Sequence, residues 1–468
     1  MTSAGDGTGA VLCLYAKGKQ DTFLDGKEGT YWKTRTLQHT NFTRFQKAYH
    51  YNKNVSTSAS WPFGNRIRFQ IDPKESGDIL SNMYLKITLP SLPDPYEYTD
   101  QIGRAIIKEV SLKIDGTTIE TITDNWHVLN DEIYANESEK IANRNIINAG
   151  QFTSQLPGSG ASRNPIPLYI PLGFFFCRTH TSLPGSWDYN QSTDINQGGY
   201  GSDTIFKPYM FLCACRNNMI HVDVEFHNTS FFTDYPNDLT TNKILLVTEE
   251  YVVTDKEREY MQNNPIQTVV SSVSRHPVQR LDKRSGVVNA IGPAPTGSDK
   301  NFSVNLVGAY PTKALHWFMR NQEYENENDN TEFLNRYNFS TNSALTDVTQ
   351  ENNYQVMEGA TMYLGSKDVL GFVNTRGTSG ANYYKHVQPY QHGLSTPDRN
   401  IYSYSFCLQP KNPTPTGAVN FSTMTSSKTT LDGSLSDAAL TDNYSLYMYT
   451  TGFKVINYEN GSCNLRFM

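Results

Sequence analysis

The chain has 468 residues, a formal net charge of −6 and an aromatic content of 12%, mostly Tyr and Phe. With no cluster of Lys and Arg, this charge excludes a coat for nucleic acid, because phosphate binding draws its affinity from massed cations that release counterions. No apolar run reaches the roughly 18 residues of a membrane-spanning helix, and the length suits two β-domains of about 200–250 residues.

The N-terminal stretch "MTSAGDGTGAVLCLYAKGKQD" has a short apolar run, Ala10 to Ala16, with its cations after it, so no secretory signal is expected. Gly5, Gly7 and Gly9 have no strand before them to build a phosphate loop and read as a tail. Residues 1–53 hold eight Lys/Arg against four Asp/Glu, which reads as a solvated basic arm. Strands follow: "FTRFQKAY", "RIRFQID", "MYLKITLP", "IIKEVSLKIDG", "LYIPLGFFF", "YMFLCAC", "IHVDVEF" and "ILLVTEEYVV". Several alternate with period two; Ile67, Phe69 and Ile71 take one face of "RIRFQID" and Arg66, Arg68 and Gln70 the other. Asp115-Gly116 marks a tight turn between two of them. Trp126, Leu129 and Ile133 fall at helical spacing, and Asp124 is placed to cap that helix.

Cys213 and Cys215 read as one face of a strand. Zinc needs four ligands and no second Cys pair exists, so they are assigned to the core, and all six cysteines are expected reduced. Glu249 and Glu250 are strand neighbours that face opposite sides and cannot flank one glycosidic bond. The charged "DKEREYMQ" at 255–262 reads as a linker. Beyond it lie "QTVVSSV", "FSVNLVGA", "ALHWFMRN", "GATMYLG", "NIYSYSFCL", "GAVNFS" and "SLYMYTTGFKVINY". Segment 321–356, with seven acidic residues and one basic residue, reads as a solvated loop. His386 and His392 are six apart in a Pro-containing loop, with Asp398 near but no partner nucleophile, and read as structural. The ten Asn-x-Ser/Thr sequons, Asn41, Asn190 and Asn338 among them, are what an Asn/Ser/Thr-rich chain yields by chance.

The two halves echo one another. "KILLVTEEYVVTDKERE" at 243–259 shares its apolar spacing with "YSLYMYTTGFKVINYEN" at 444–460, and "EVSLKIDGTTIETI" with "GATMYLGSKDVLGF". Seven or eight strands per half fit tandem jelly rolls. The expected organisation is an arm (1–24), a first eight-stranded antiparallel roll (25–254), a linker (255–265) and a second roll (266–468), all-β with short helices in loops.

Seven segments in order, "AKGKQDTFL" (16–24), "HTNFTRF" (39–45), "SGDILSNMYLKITLP" (76–90), "VSLKIDGTTIE" (110–120), "PLGFFFCR" (171–178), "VQPYQHGLSTPDRNIYSYSF" (387–406) and "PTGAVNFS" (415–422), resemble the major capsid proteins of nucleocytoplasmic large DNA viruses. The resemblance spans nearly the whole chain and is similar to phycodnavirus, iridovirus, marseillevirus and mimivirus forms. It implies a double jelly roll that trimerises into pseudo-hexagonal capsomers of an icosahedral shell. Implied partners are further copies, neighbouring capsomers, minor capsid and penton proteins, and a membrane under the inner face, with assembly in host cytoplasm. No catalytic, cofactor or metal residue and no sequence-specific nucleic-acid contact is expected. The segments Arg178–Lys207 and Asn321–Gln355 are expected to lie exposed as outer towers, with the basic arm at the inner face. A glycan-binding or glycoside-processing β-sandwich is the alternative, separable by whether two equal β-domains or one cleft with paired carboxylates is found.

Overall fold

In the computed structural model the described residues are 41–51, 63–93, 95–99, 101–147, 166–178, 208–241, 243–281, 301–308, 310–345, 351, 353–370, 381–412, 415–424 and 428–466. The Gly5–Gly9 tail, the arm 1–24, Asn190 and nearly all of 178–207 lie outside them.

The first half contains β1 (Phe42–Tyr49), β2 (Arg66–Ile71), β3 (Ile79–Leu89), β4 (Ile107–Ile114), β5 (Thr117–Thr123), β6 (Ile166–Pro171), the short β7 (Met210–Phe211), β8 (Ile220–Phe226) and β9 (Ile244–Val253). They form two sheets, β1-β9-β3-β6, with β7 added on β3, and β2-β8-β4-β5. The second half contains β10 (Ile266–Arg275), β11 (Gln279–Leu281), β12 (Asn301–Asn305), β13 (Thr312–Asn321), β14 (Met357–Leu364), β15 (Lys367–Asp368), β16 (Ile401–Ser405), β17 (Thr430–Leu435), β18 (Tyr444–Glu459) and β19 (Ser462–Arg466). Its sheets are β10-β18-β13-β16, with β11 and β19 added on β18, and β12-β17-β14-β15. Set aside those short additions and both halves order their eight strands alike, 1-8-3-6 facing 2-7-4-5. This is a double jelly roll. The two echoes in the sequence are thus equivalent parts: β9 and β18 are the eighth strands, and β4-turn-β5 matches β14-turn-β15.

Alternation sets the register. In β3, Leu80, Met83, Leu85, Ile87 and Leu89 are buried while Asn82, Tyr84, Lys86 and Thr88 face outward. The Asp115-Gly116 turn has both residues at positive φ, 47° and 84°, as a two-residue hairpin of the favoured twist requires. Its counterpart is Gly365-Ser366, at 58° and 65°.

The longer helices lie in connections: α1 (Asp124–Ile133) and α2 (Glu137–Ile147) between β5 and β6, and α3 (Asp255–Asn263) between β9 and β10. The cap of α1 is Thr123, whose Oγ1 accepts from the Trp126 amide, one residue before the expected Asp124. "YMFLCAC" is strand only at Met210–Phe211; Leu212–Cys215 winds into a 3-10 turn, tied by Cys213 N to Asp78 O. "GAVNFS" is no strand beyond one bridge, Val419 to Thr312. The seventh strand of the second roll is instead "TLDGSL", masked by its glycine. A Cβ on Gly433 would come within 2.3 Å of the Phe302 ring, so the glycine is what lets that ring lie on the strand.

Antiparallel strands reverse at each step, so odd-numbered connections emerge at one end of a roll and even-numbered ones at the other. Residues 321–340, from the third connection of the second roll, meet the third and seventh connections of the first: Thr99 Oγ1 donates to Phe333 O and Asn330 Nδ2 to Asp234 O. Residues 213–219, from the sixth connection of the first roll, meet the Asp115 turn and the turn at Gly461. Both rolls therefore stand the same way up; the segment Asn321–Gln355 leaves its roll at the end of the odd-numbered connections, and Arg178–Lys207 lies almost wholly outside the described residues.

Candidate functional site: the seam between the rolls

The larger apolar core runs through the first roll and continues across the outer face of β10, β13 and β18, taking in Val273, Phe318, Tyr447 and Tyr449. A second core fills the second roll alone, around Leu315, Trp317, Met319, Tyr402 and Met448. Every residue of β13 is buried, because one face lines the second roll and the other meets the first.

Helix α1 makes that contact. Trp126 packs 5.7 Å from Tyr449 and 6.1 Å from His316, ring to ring. Thr123 Oγ1 bonds Tyr449 OH at 2.7 Å and Tyr134 OH bonds His316 Nε2 at 2.9 Å. Burial drives His316 down to about 3, so it is a neutral packing residue. Asn125 Oδ1 accepts from Arg320, which also donates to Tyr447 OH. At the next strand, Glu120 accepts the amides of Phe175 and Val273 and pairs with Arg178, whose other nitrogen donates to Ser271 O. Between α1, α2 and Ser271 a cavity of about 250 Å³ remains, edged by Arg104, His127 and Lys411.

The expected solvated loop at 321–356 is, over 321–340, a buried part of the seam, which corrects the sequence reading. Tyr324, Phe333, Arg336, Tyr337 and Phe339 are all buried. Arg336 is fully enclosed and donates to five carbonyls, those of Ser230 and Phe231 in the first roll and of Tyr324, Asn326 and Asp329 in its own loop. Its guanidinium also lies 4.5 Å from the Phe231 ring. His227 stacks on that ring at 3.8 Å, with Asp124 and Glu327 at 3.5 and 3.4 Å from its nitrogens. The His227 bond, ahead of Lys108, brings Glu327 down to about 2. Of the loop's described acids, Glu327 meets the first roll through His227 and Lys108, while Glu325 and Glu351 face Arg320 and Arg399 of the second, so a surplus of negative charge did not mean exposure. The available signal was Phe333, Tyr337 and Phe339 interrupting the polar run around its single cation.

The other candidates from the sequence are placed as follows. "YYKHVQPYQHGLSTPDRNIYSYSF" opens as a helical strap, Tyr383–Val387 and Gln388–Gln391, rather than a loop, and ends in the strand β16. The strap covers β16, an edge strand: Ser405 N donates to Gln388 Oε1. His392 Nδ1 lies 3.3 Å from Leu408 O, and burial, then Lys385, lowers His386. Asp398 offers Glu132 its amide, and Lys385 donates to Asn400 Oδ1. Glu351, raised to about 7 by burial, accepts the Asn400 amide beside Arg399. Glu250 points into the core, accepting from Tyr49, Gly77 and Thr248, whereas Glu249 faces out to Arg44. Cys213 lies 3.7 Å from Met261 Sδ, its thiol pushed up to about 11 by burial. Asn338 is buried and Asn41 exposed.

These groups hold the two rolls as one block. Fold and seam together define a double jelly-roll shell protein. Sequence models of two families match, "Large eukaryotic DNA virus major capsid protein" over residues 249–464 and "Major capsid protein N-terminus" over 30–190. The chain belongs to the major capsid protein family of large eukaryotic DNA viruses, structural proteins of the icosahedral capsid. It is similar to the major capsid protein of Phaeocystis pouchetii virus, 23% identical with 98% of this chain and 99% of that one covered, and to that of Paramecium bursaria Chlorella virus 1, 22% identical over 88% and 85%. Among solved structures, the PBCV-1 virus capsid chain superposes with a TM-score of 0.65 at 17% identity, covering 94% of this chain and all of that one. The Faustovirus major capsid protein gives 0.61 at 11%, covering 96% and 97%.

Proposed function

We propose that the chain trimerises into a pseudo-hexagonal capsomer, and that the seam exists to make two rolls behave as two fixed sixths of that ring. The observation that carries this reading is the repeated strand order with both rolls the same way up. Three such chains supply six near-equivalent rolls. We assign the arm to 1–24, the rolls to 25–254 and 266–468, and the linker to 255–265. Each sheet draws its strands from only one side of α3, which supports that division. The capsomer works without catalysis, cofactor or metal, is assembled in host cytoplasm, and meets minor capsid and penton proteins and an inner membrane through surfaces other than the seam. Gel filtration with light scattering tests the central claim. The expected mass is three times 52.8 kDa; a well-folded monomer at every concentration overturns it.

A further inference from the structure

At the end of the seam away from Arg336, thiols of the two rolls meet. Cys213 and Cys215 lie in the 3-10 turn Leu212–Cys215 of the first roll's sixth connection. Cys463 lies on β19, beyond the eighth strand of the second roll. All three are buried, and all three are free thiols. Cys213 faces α3, with its Sγ 3.7 Å from Met261 Sδ. Cys215 faces the other roll: its side chain hydrogen-bonds that of Cys463. One residue holds both backbones in place. Asn218 N donates to Cys215 O at 2.9 Å, and Asn218 Oδ1 accepts from Cys463 N at 2.7 Å. Next to it, Asn217 N donates to Gly461 O at 2.9 Å and Asn217 Nδ2 to Asn460 O at 3.1 Å. Phe211 and Tyr458 meet edge to face at 5.4 Å from the same two segments.

We propose that Cys215 and Cys463 form an oxidation-dependent clasp, two thiols in a reducing compartment and one disulfide across the rolls once a small-molecule disulfide reaches the chain. The exchange balances simply. One thiol attacks the oxidant, breaks its S–S bond and forms a mixed disulfide; the second thiol attacks that bond and closes Cys215 Sγ to Cys463 Sγ. The two protein thiols are oxidised, and the oxidant leaves as two thiols that carry their protons. While the seam is closed the pair is inert, because the Cys463 bond and burial hold the Cys215 thiol well above the usual range and little thiolate is present. Access runs through β19. Among the described residues this strand pairs with β18 alone, and it closes the described chain, so local fraying there bares Cys463 and then Cys215. The clasp is therefore slow to close and, once closed, fixes the end of the seam that Arg336 does not reach. The proposal does not depend on the trimeric reading.

The test exposes the full chain to excess oxidised glutathione at mildly alkaline pH, below its melting temperature. Remaining thiols are trapped with N-ethylmaleimide, and unreduced peptides are mapped by mass spectrometry. A peptide joining Cys215 to Cys463 within one chain is expected, lost on reduction. The oxidised chain should melt about 3–5 °C higher, since the link closes a loop of about 250 residues. Cys213→Ser should keep both results, and Cys215→Ser or Cys463→Ser should lose both. The mapping uses the unsubstituted chain, so it stands whether or not a serine variant folds. Recovery of Cys215 and Cys463 as maleimide adducts after prolonged exposure overturns the proposal. So does a link through Cys213 instead, or a Cys215–Cys463 link that leaves the melting temperature unchanged or lowers it.

Discussion

Strands β3 and β13 hold the same place in equivalent sheets, yet they are written differently. In β3 buried and outward residues alternate, and the outward side reads Asn82, Tyr84, Lys86, Thr88. In β13 all ten residues are buried, and its outward side reads Ala314, His316, Phe318, Arg320. One topology therefore tolerates either code; what selects the code is whether something lies on the second face. Where a roll is covered, the buried guanidinium of Arg320 is held by Asn125 and Tyr447.

The contrast breaks most sharply at the residue that holds the cover down. Arg336→Met keeps the side-chain volume but strands five carbonyls. It should cost about 4–6 kcal/mol, read as a much lower melting temperature. A shift within a degree of the parent would refute the account of the loop as a clamp. Next, Trp126→Ala under the covered face should cost about 3–5 kcal/mol, whereas Tyr84→Ala on the open face of the isolated chain should cost under about 1 kcal/mol. Chemical denaturation of the two variants side by side sharpens the comparison; equal losses would erase it.

Acid should distinguish the faces too. His316 and His276 are lowered by burial to about 3 and about 4, and His127 lies well below its ordinary 6.5. Below pH 6.5 the unfolded chain binds protons that the folded chain refuses, so stability is present above 6.5 and falls as pH drops toward 4. Each group contributes up to about 1.4 kcal/mol per pH unit. Urea midpoints at pH 7, 6 and 5 should fall in turn, and His316→Phe should flatten the slope. A slope unaltered by that change would show the ring to be solvated. The smallest effect belongs to the equivalent hairpin turns. Ser366 takes the positive φ that Gly116 takes in the first roll, so Ser366→Gly should be neutral or gain up to about 1 kcal/mol, and Gly116→Val should lose about 1–2 kcal/mol. Thermal melts that reverse this order would contradict the shared turn geometry.

What could be read in the sequence follows the same division. Exposed-face strands such as "RIRFQI" and "IHVDVEF" announced themselves by alternation, and the β9–β18 echo revealed the repeat. "TLDGSL" did not, because its fit depends on a ring from β12 lying on a glycine. The seam was illegible for a related reason. Arg336, Glu120 and His227 look like surface residues in their local context, and their partners lie in distant segments. The opening of "YYKHVQPYQHG" gave no sign of a strap because its helical turns are justified only by the strand edge beneath them.

The nesting of first and last strands also dictates an order of events during synthesis. Among the described residues β1 pairs with β9, and Ile266 of β10 sits opposite Tyr458, almost the whole length of the second roll away. Neither sheet can close until its final strand has left the ribosome, whereas α1, the cover of His316 and Tyr449, is synthesised before either of them. A chain built this way folds late and slowly, carrying unpaired edges and bare aromatic faces while it waits. Its yield in a cell is accordingly set by what shields those surfaces during translation as much as by the stability of the finished block.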